Sequence, residues 1–133
     1  MCLLDAVVDW SPDRIRCTSA SHRRPDNPLR HDDRLGAACG IEYAAQAMAV
    51  HAALLATAGR PPRQGYLASV RGVEFLAARL DDVASDLEVE AERLSGVDDT
   101  VLYRFELRGG GRRLVHGRAA VILDAASVDR ARS

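Results

Sequence analysis

Apolar side chains along this chain recur at every second residue in most places and all round one long stretch, and a polar segment divides the two regimes. LLDAVVDW (Leu3–Trp10) and RIRCTSA (Arg14–Ala20) flank Ser11-Pro12-Asp13, where proline presets a turn, so they predict two strands. SHRRPDNPLRHDDR (Ser21–Arg34) follows with two prolines and no periodicity, and reads as a loop with little to bury. The segment Ala38 to Ala56 predicts a helix about 30 Å long, stopped by Gly59, Pro61 and Pro62. Its alanines let other backbone approach closely on most sides.

Strand patterning then returns. GYLASVRGVEFL (Gly65–Leu76) is long, with a bulge expected at Gly72. Leu87, Val89 and Ala91 alternate with Glu88, Glu90 and Glu92, while Val101, Tyr103, Phe105 and Leu107 alternate with Arg104, Glu106 and Arg108. Acidic and basic rows of this kind can pair across neighbouring strands. Gly109-Gly110-Gly111 is a hairpin turn into a last strand, Arg113–Leu123; it is no phosphate cradle, because no helix follows it. The order β-β-loop-α-β-β-β-β with short turns predicts an α+β domain in which one curled antiparallel sheet wraps a long central helix. That domain is expected over residues 1–126, with 127–133 as a short flexible tail.

At 133 residues the chain can enclose a core without disulfides or metal. The net charge of −1 offers no global field for nucleic acid or an anionic membrane. Cys2, Cys17 and Cys39 are odd in number and lack C-x-x-C spacing, and no export signal stands at the N-terminus. The cytoplasm is the expected compartment. Leu35–Gly59 has the length of a membrane span, but Glu42, Gln46 and His51 within it argue for a buried helix of a soluble protein and no membrane span.

Two ionisable residues stand out by position. His22 opens the polar loop directly after a strand, and Glu42 lies in the first turns of the alanine helix. Burial among Ile41, Tyr43, Ala44 and Ala45 would favour a neutral carboxyl, as a general acid requires, and histidine is the natural base near neutral pH. The plainer readings are a solvated histidine beside Arg23 and Arg24, and a glutamate that complements the helix dipole. His31, His51 and His116 share no ligand spacing, and a zinc site from His22, His31 and Cys39 lacks the usual short Cys/His pairs. Cys39 reads as a small buried residue.

Several segments together resemble one family. GIEYAAQAMAV resembles the central helix of the hotdog dehydratases of fatty-acid synthesis, the FabA/FabZ type, where an acid and a glutamine stand four apart; Glu42 and Gln46 match them. The S-H…P…NPL segment stands where that family carries its catalytic histidine, matched by His22, although this loop is longer than the family's. LLDAVVDW and GYLASVRGVEF are similar to the strands that begin the family's domain and follow its helix. The likeness extends to the branch found in aryl polyene pigment gene clusters.

The resemblance implies a hotdog fold and the dehydration of (3R)-3-hydroxyacyl thioesters on acyl carrier protein to trans-2-enoyl thioesters. It casts His22 as base and Glu42 as acid, drawn from different subunits of a dimer. Gln46 would steady the acid, and an amide at Gly36 or Ala37 would polarise the thioester carbonyl. Tyr66 and Tyr43 either line the acyl tunnel or pack. No cofactor or metal is implied. The partners implied are acyl carrier protein and either a second copy or a related dehydratase. Arg23, Arg24, Arg30, Arg34, Arg60 and Arg63 form either a solvated polar face or a dock for the acidic carrier. Two alternatives stay open: a hotdog acyl thioesterase, and a non-catalytic supporting subunit of a dehydratase pair.

Overall fold

The computed structural model describes residues 2–57, 65–97 and 99–123. Strands β1 (Ala6–Ser11) and β2 (Arg14–Ser19) form a hairpin around Pro12-Asp13. Helix α1 (Gly40–Thr57) follows a 3-10 turn at Ala37–Cys39. Strands β3 (Gly65–Phe75), β4 (Leu87–Val97), β5 (Thr100–Gly109) and β6 (Arg112–Leu123) are the remaining strands among the described residues. All six strands join one antiparallel sheet in the order β1-β2-β4-β5-β6-β3, so β1 and β3 are its edges. Gly59, Arg60, Pro61, Pro62, Arg63 and the 127–133 tail lie outside the described residues.

Alternation places the core. Val89 and Ala91 on β4, and Val101, Tyr103, Phe105 and Leu107 on β5, are buried against α1 through Tyr43, Ala44, Ala47 and Met48. Small side chains let the helix approach: a Cβ added at Gly40 would sit 3.1 Å from Leu107 and 3.3 Å from Val115. The expected charge rows take their places on the outer face, where Glu92 faces and pairs with Arg104 and Glu88 faces Arg108. Glu90, however, faces Glu106, which pairs with Arg108 and Arg113 instead.

The turns follow the expected chemistry. Gly110 and Gly111, at φ +60° and +76°, close the two-residue turn between Gly109 and Arg112, a conformation that suits hairpin twist and is open to glycine. Gly72, at φ +59°, sits where the β3–β6 register shifts. The loop after β2 differs from expectation. Ser21, His22 and Asn27 are buried within it, because the chain folds the loop inward and gives the Ser21 and Asn27 side chains hydrogen-bond partners there. Asp32 and Asp33, both at positive φ, turn its far end between His31 and Arg34.

Candidate active site

Three distant segments converge on the loop that carries His22. Tyr43, from the first turn of α1, is fully buried; its hydroxyl bonds Ser21 Oγ at 2.7 Å and accepts from Asn27 Nδ2 at 3.1 Å. Asn27 also donates to the Ser21 carbonyl at 2.9 Å, and its own Oδ1 accepts the Leu29 N–H. Ser21 Oγ donates onward to the Leu3 carbonyl at 2.7 Å, which Ser19 Oγ also reaches. Nearly every donor here meets an acceptor, so the network can be buried at little penalty. Tyr43 therefore packs; the other tyrosine in question, Tyr66, lies on β3 with its side chain outside the described residues.

His22 itself is fully buried, which rules out the reading as a solvated surface group. Its Nε2 lies 2.9 Å from the Val83 carbonyl. A carbonyl only accepts, so the proton sits on Nε2 and Nδ1 keeps its lone pair. That Nδ1 is the one buried side-chain nitrogen or oxygen among the described residues with no hydrogen-bond partner. Burial lowers the proton affinity of the imidazole, against the Val83 bond that raises it, and the nearby Arg23 charge lowers it further. A neutral, tautomer-fixed imidazole with a free lone pair is the state a general base needs.

Glu42 stands apart. It is exposed in the first turn of α1, contrary to the expectation of burial among its apolar neighbours. No hydrogen bond or ion pair joins it to His22 among the described residues. Gln46, one turn along, accepts the Leu3 N–H at 2.7 Å through Oε1 and so ties the N-terminal segment to the helix. A shallow apolar groove runs along the same side of α1, lined by Ala45, Met48, Ala49 and Ala52 and walled by Leu67 and Tyr103. Tyr103 is held at its rim by His51, whose Nδ1 lies 2.8 Å from the hydroxyl while Nε2 donates to the Ser11 carbonyl.

The backbone before the helix is braced from the far side. Ala37 N–H donates to Ala78 O at 3.1 Å and Leu80 N–H to Leu35 O at 2.7 Å, which commits the Ala37 amide to the fold. Gly36 and Arg79 face each other between those bonds, so the Gly36 N–H turns outward and away from residue 79. Asp81 holds this bridge by accepting from Leu35 N–H and from Arg79; the Arg79 guanidinium keeps its carboxyl well below the usual carboxylate range.

The arginines around the loop are mostly engaged. Arg23 pairs with Asp86 at 2.8 Å and donates to Ala84 O, Arg24 pairs with Asp26, and Arg30 donates to the carbonyls of His22, Arg24 and Asp33. Among the described residues no group of three or more His, Cys, Asp or Glu side chains is placed to hold a metal, and no helix is long and apolar enough to cross a membrane. Sequence reasoning missed Tyr43, Asn27 and Val83 as supports of His22. The Asn27-Pro28 turn was the one local signal for any of them.

Known proteins share this fold. A subunit of the dehydratase heterocomplex ApeI:P from Xenorhabdus doucetiae superposes with a TM-score of 0.81 at 21% identity, over 96% of this chain and 87% of that one. A hypothetical thioesterase from Streptococcus pneumoniae TIGR4, solved with coenzyme A, superposes at 0.66 and 12% identity over 90% and 84% of the two chains. AziG from S. sahachiroi gives 0.65 at 16% identity over 88% of each. At these identities the structures establish the hotdog fold alone. No curated protein matches the sequence significantly. The model of the ApeP-like family, described as ApeP dehydratase, matches residues 1–129, and on that match the chain belongs to the ApeP-like dehydratases.

Proposed function

We propose that this chain acts in the removal of water from (3R)-3-hydroxyacyl thioesters carried on acyl carrier protein, in aryl polyene or related fatty-acid-like synthesis, as half of a dimer with a related dehydratase. The observation that carries the reading is His22 Nδ1: buried, unpartnered, and bearing the lone pair because Nε2 donates to Val83 O. Leaving a buried acceptor unsatisfied costs about 1–3 kcal/mol, a penalty that folds retain where the group has work to do.

In the reaction His22 Nδ1 takes the proton alpha to the thioester carbonyl. The outward Gly36 amide at the start of the helix supports the enolate oxygen. Glu42, protonated, gives its proton to the 3-hydroxyl as the C–O bond breaks, and an enoyl thioester and water leave. The charge gained on His22 and lost on Glu42 is restored by proton return between turnovers. Exposure of Glu42 in the single chain fits this reading when a partner subunit covers that side of the helix. The heterocomplex formed by the Xenorhabdus protein supports such a partner, and the apolar groove beyond Glu42 suits an acyl chain.

One observation favours a second reading. His22 has no solvent exposure at all in this chain, which suits a supporting subunit whose histidine holds the loop together. Intact-mass analysis of a 3-hydroxyacyl carrier protein tests both, with the chain alone, the chain plus its related dehydratase, and His22→Ala and Glu42→Ala versions of each. Loss of one water that disappears in both variants supports the catalytic reading. Water loss by the pair that survives His22→Ala supports the supporting subunit, and loss of the whole acyl group would sink both in favour of a thioesterase.

A further inference from the structure

On the outer face of the sheet, facing side chains are mostly complementary. Arg14 stands opposite Glu92, Arg16 opposite Glu90, Glu88 opposite Arg108 and Glu74 opposite His116. One row sets three like charges side by side. Arg104 on β5 directly faces Arg118 on β6, and Arg118 directly faces Arg71 on β3. All three are exposed. Glu92 takes up Arg104, but the guanidiniums of Arg118 and Arg71 form no ion pair or hydrogen bond among the described residues. Directly opposed like charges destabilise a sheet. Like charges also face each other at Glu90 and Glu106 and at Arg108 and Arg113, but Glu106 pairs with both of those arginines, whereas among the described residues no carboxylate relieves Arg118 and Arg71.

These three arginines line one shallow pocket together with His116, Gly72 and Gly117. We propose that the pocket is a binding site for a phosphate group, held between the forks of Arg118 and Arg71 with Arg104 as a third donor. The backbone positions of the three arginines, on adjacent strands in register, lie within about 10 Å, two inter-strand spacings. That density suits one compact, multiply charged anion with several oxygens, which guanidinium forks match geometrically. An acidic protein surface would call for cations spread more widely. The site lies on the outer face, away from the buried His22, and stands whether or not the dehydratase reading does.

The test compares the whole chain with Arg118→Gln, and with Arg112→Gln as an exposed arginine outside the row. Thermal stability and backbone amide shifts are followed against inorganic phosphate and against dimethyl phosphate, each balanced with NaCl to equal ionic strength. Saturable stabilisation is expected in the native chain and in Arg112→Gln, weakened about tenfold or more in Arg118→Gln. In NaCl alone Arg118→Gln should be at least as stable as the native chain, because the variant removes like-charge repulsion. A response to inorganic phosphate alone identifies a terminal monoester as the natural source, and a response to both identifies a diester. The proposal is overturned if phosphate acts no differently from NaCl, if Arg118→Gln responds as the native chain does, or if that variant is destabilised in NaCl. Saturable binding of polyglutamate without phosphate binding would overturn it too, in favour of an acidic protein partner.

Discussion

The imidazole of His22 is the residue on which the chemistry turns, and its titration gives a direct check. Its proton affinity is lowered in the folded chain, chiefly by burial. Below the ordinary histidine value of 6.5 the unfolded chain therefore binds more protons than the folded one. The stability from His22 is complete above pH 6.5 and is lost as the pH falls through the lower folded value. Urea midpoints measured from pH 8 to pH 5 should fall across that window, and His22→Gln should flatten the fall; parallel curves would contradict the assignment. By the same sign, the acid limb of the dehydration rate should lie below pH 6.5, because His22 stays neutral and basic further into acid. Tyr43→Phe removes a hydroxyl that meets both Ser21 and Asn27. Two buried partners are then left short, so we expect a loss of about 1–3 kcal/mol in chemical denaturation, with activity reduced as the His22 loop loosens.

Elements matter through their turns and caps. Gly111 has φ +76° with open space where a Cβ would point, so its requirement is conformational alone. Gly111→Ala should destabilise by about 1–2 kcal/mol, and Gly111→Asn by less, because asparagine tolerates the left-handed region. Equal losses in denaturation midpoints would show that packing, not φ, governs the turn. Helix α1 combines a buried face, which anchors Tyr43 and His51, with an exposed one that presents Glu42. The element is thus a two-sided support: one side fixes the base loop, the other offers an acid to whatever covers it.

At the scale of the molecule, the described residues leave the candidate acid exposed, and both sheet edges carry apolar groups. Val7, Val8 and Trp10 are exposed on β1, and Leu67 and Phe75 on β3. Proposed pairing with a related dehydratase predicts a light-scattering mass near the sum of the two chains, against 14.4 kDa for this chain alone. It also predicts that Glu42→Gln abolishes the activity of the pair while leaving its assembly intact. A monomer that dehydrates substrate at the rate of the pair would remove the need for a shared site.

The amino-acid sequence by itself determined the order of elements, the bulge at Gly72, the glycine hairpin and the family, because these depend on local periodicity, backbone freedom and short motifs. It also singled out His22 and Glu42, since each lies within a recognisable segment. Their surroundings belonged to the tertiary structure. Burial of the loop depends on Tyr43, Leu3 and Val83, separated from His22 by 19 to 61 positions, so no local pattern marks it. The lone pair on Nδ1, the commitment of the Ala37 amide, the exposure of Glu42 and the alignment of Arg104, Arg118 and Arg71 all follow from register and packing between segments. Such contacts are set by how the sheet closes on its helix, and a linear pattern carries no record of which strand will lie beside which.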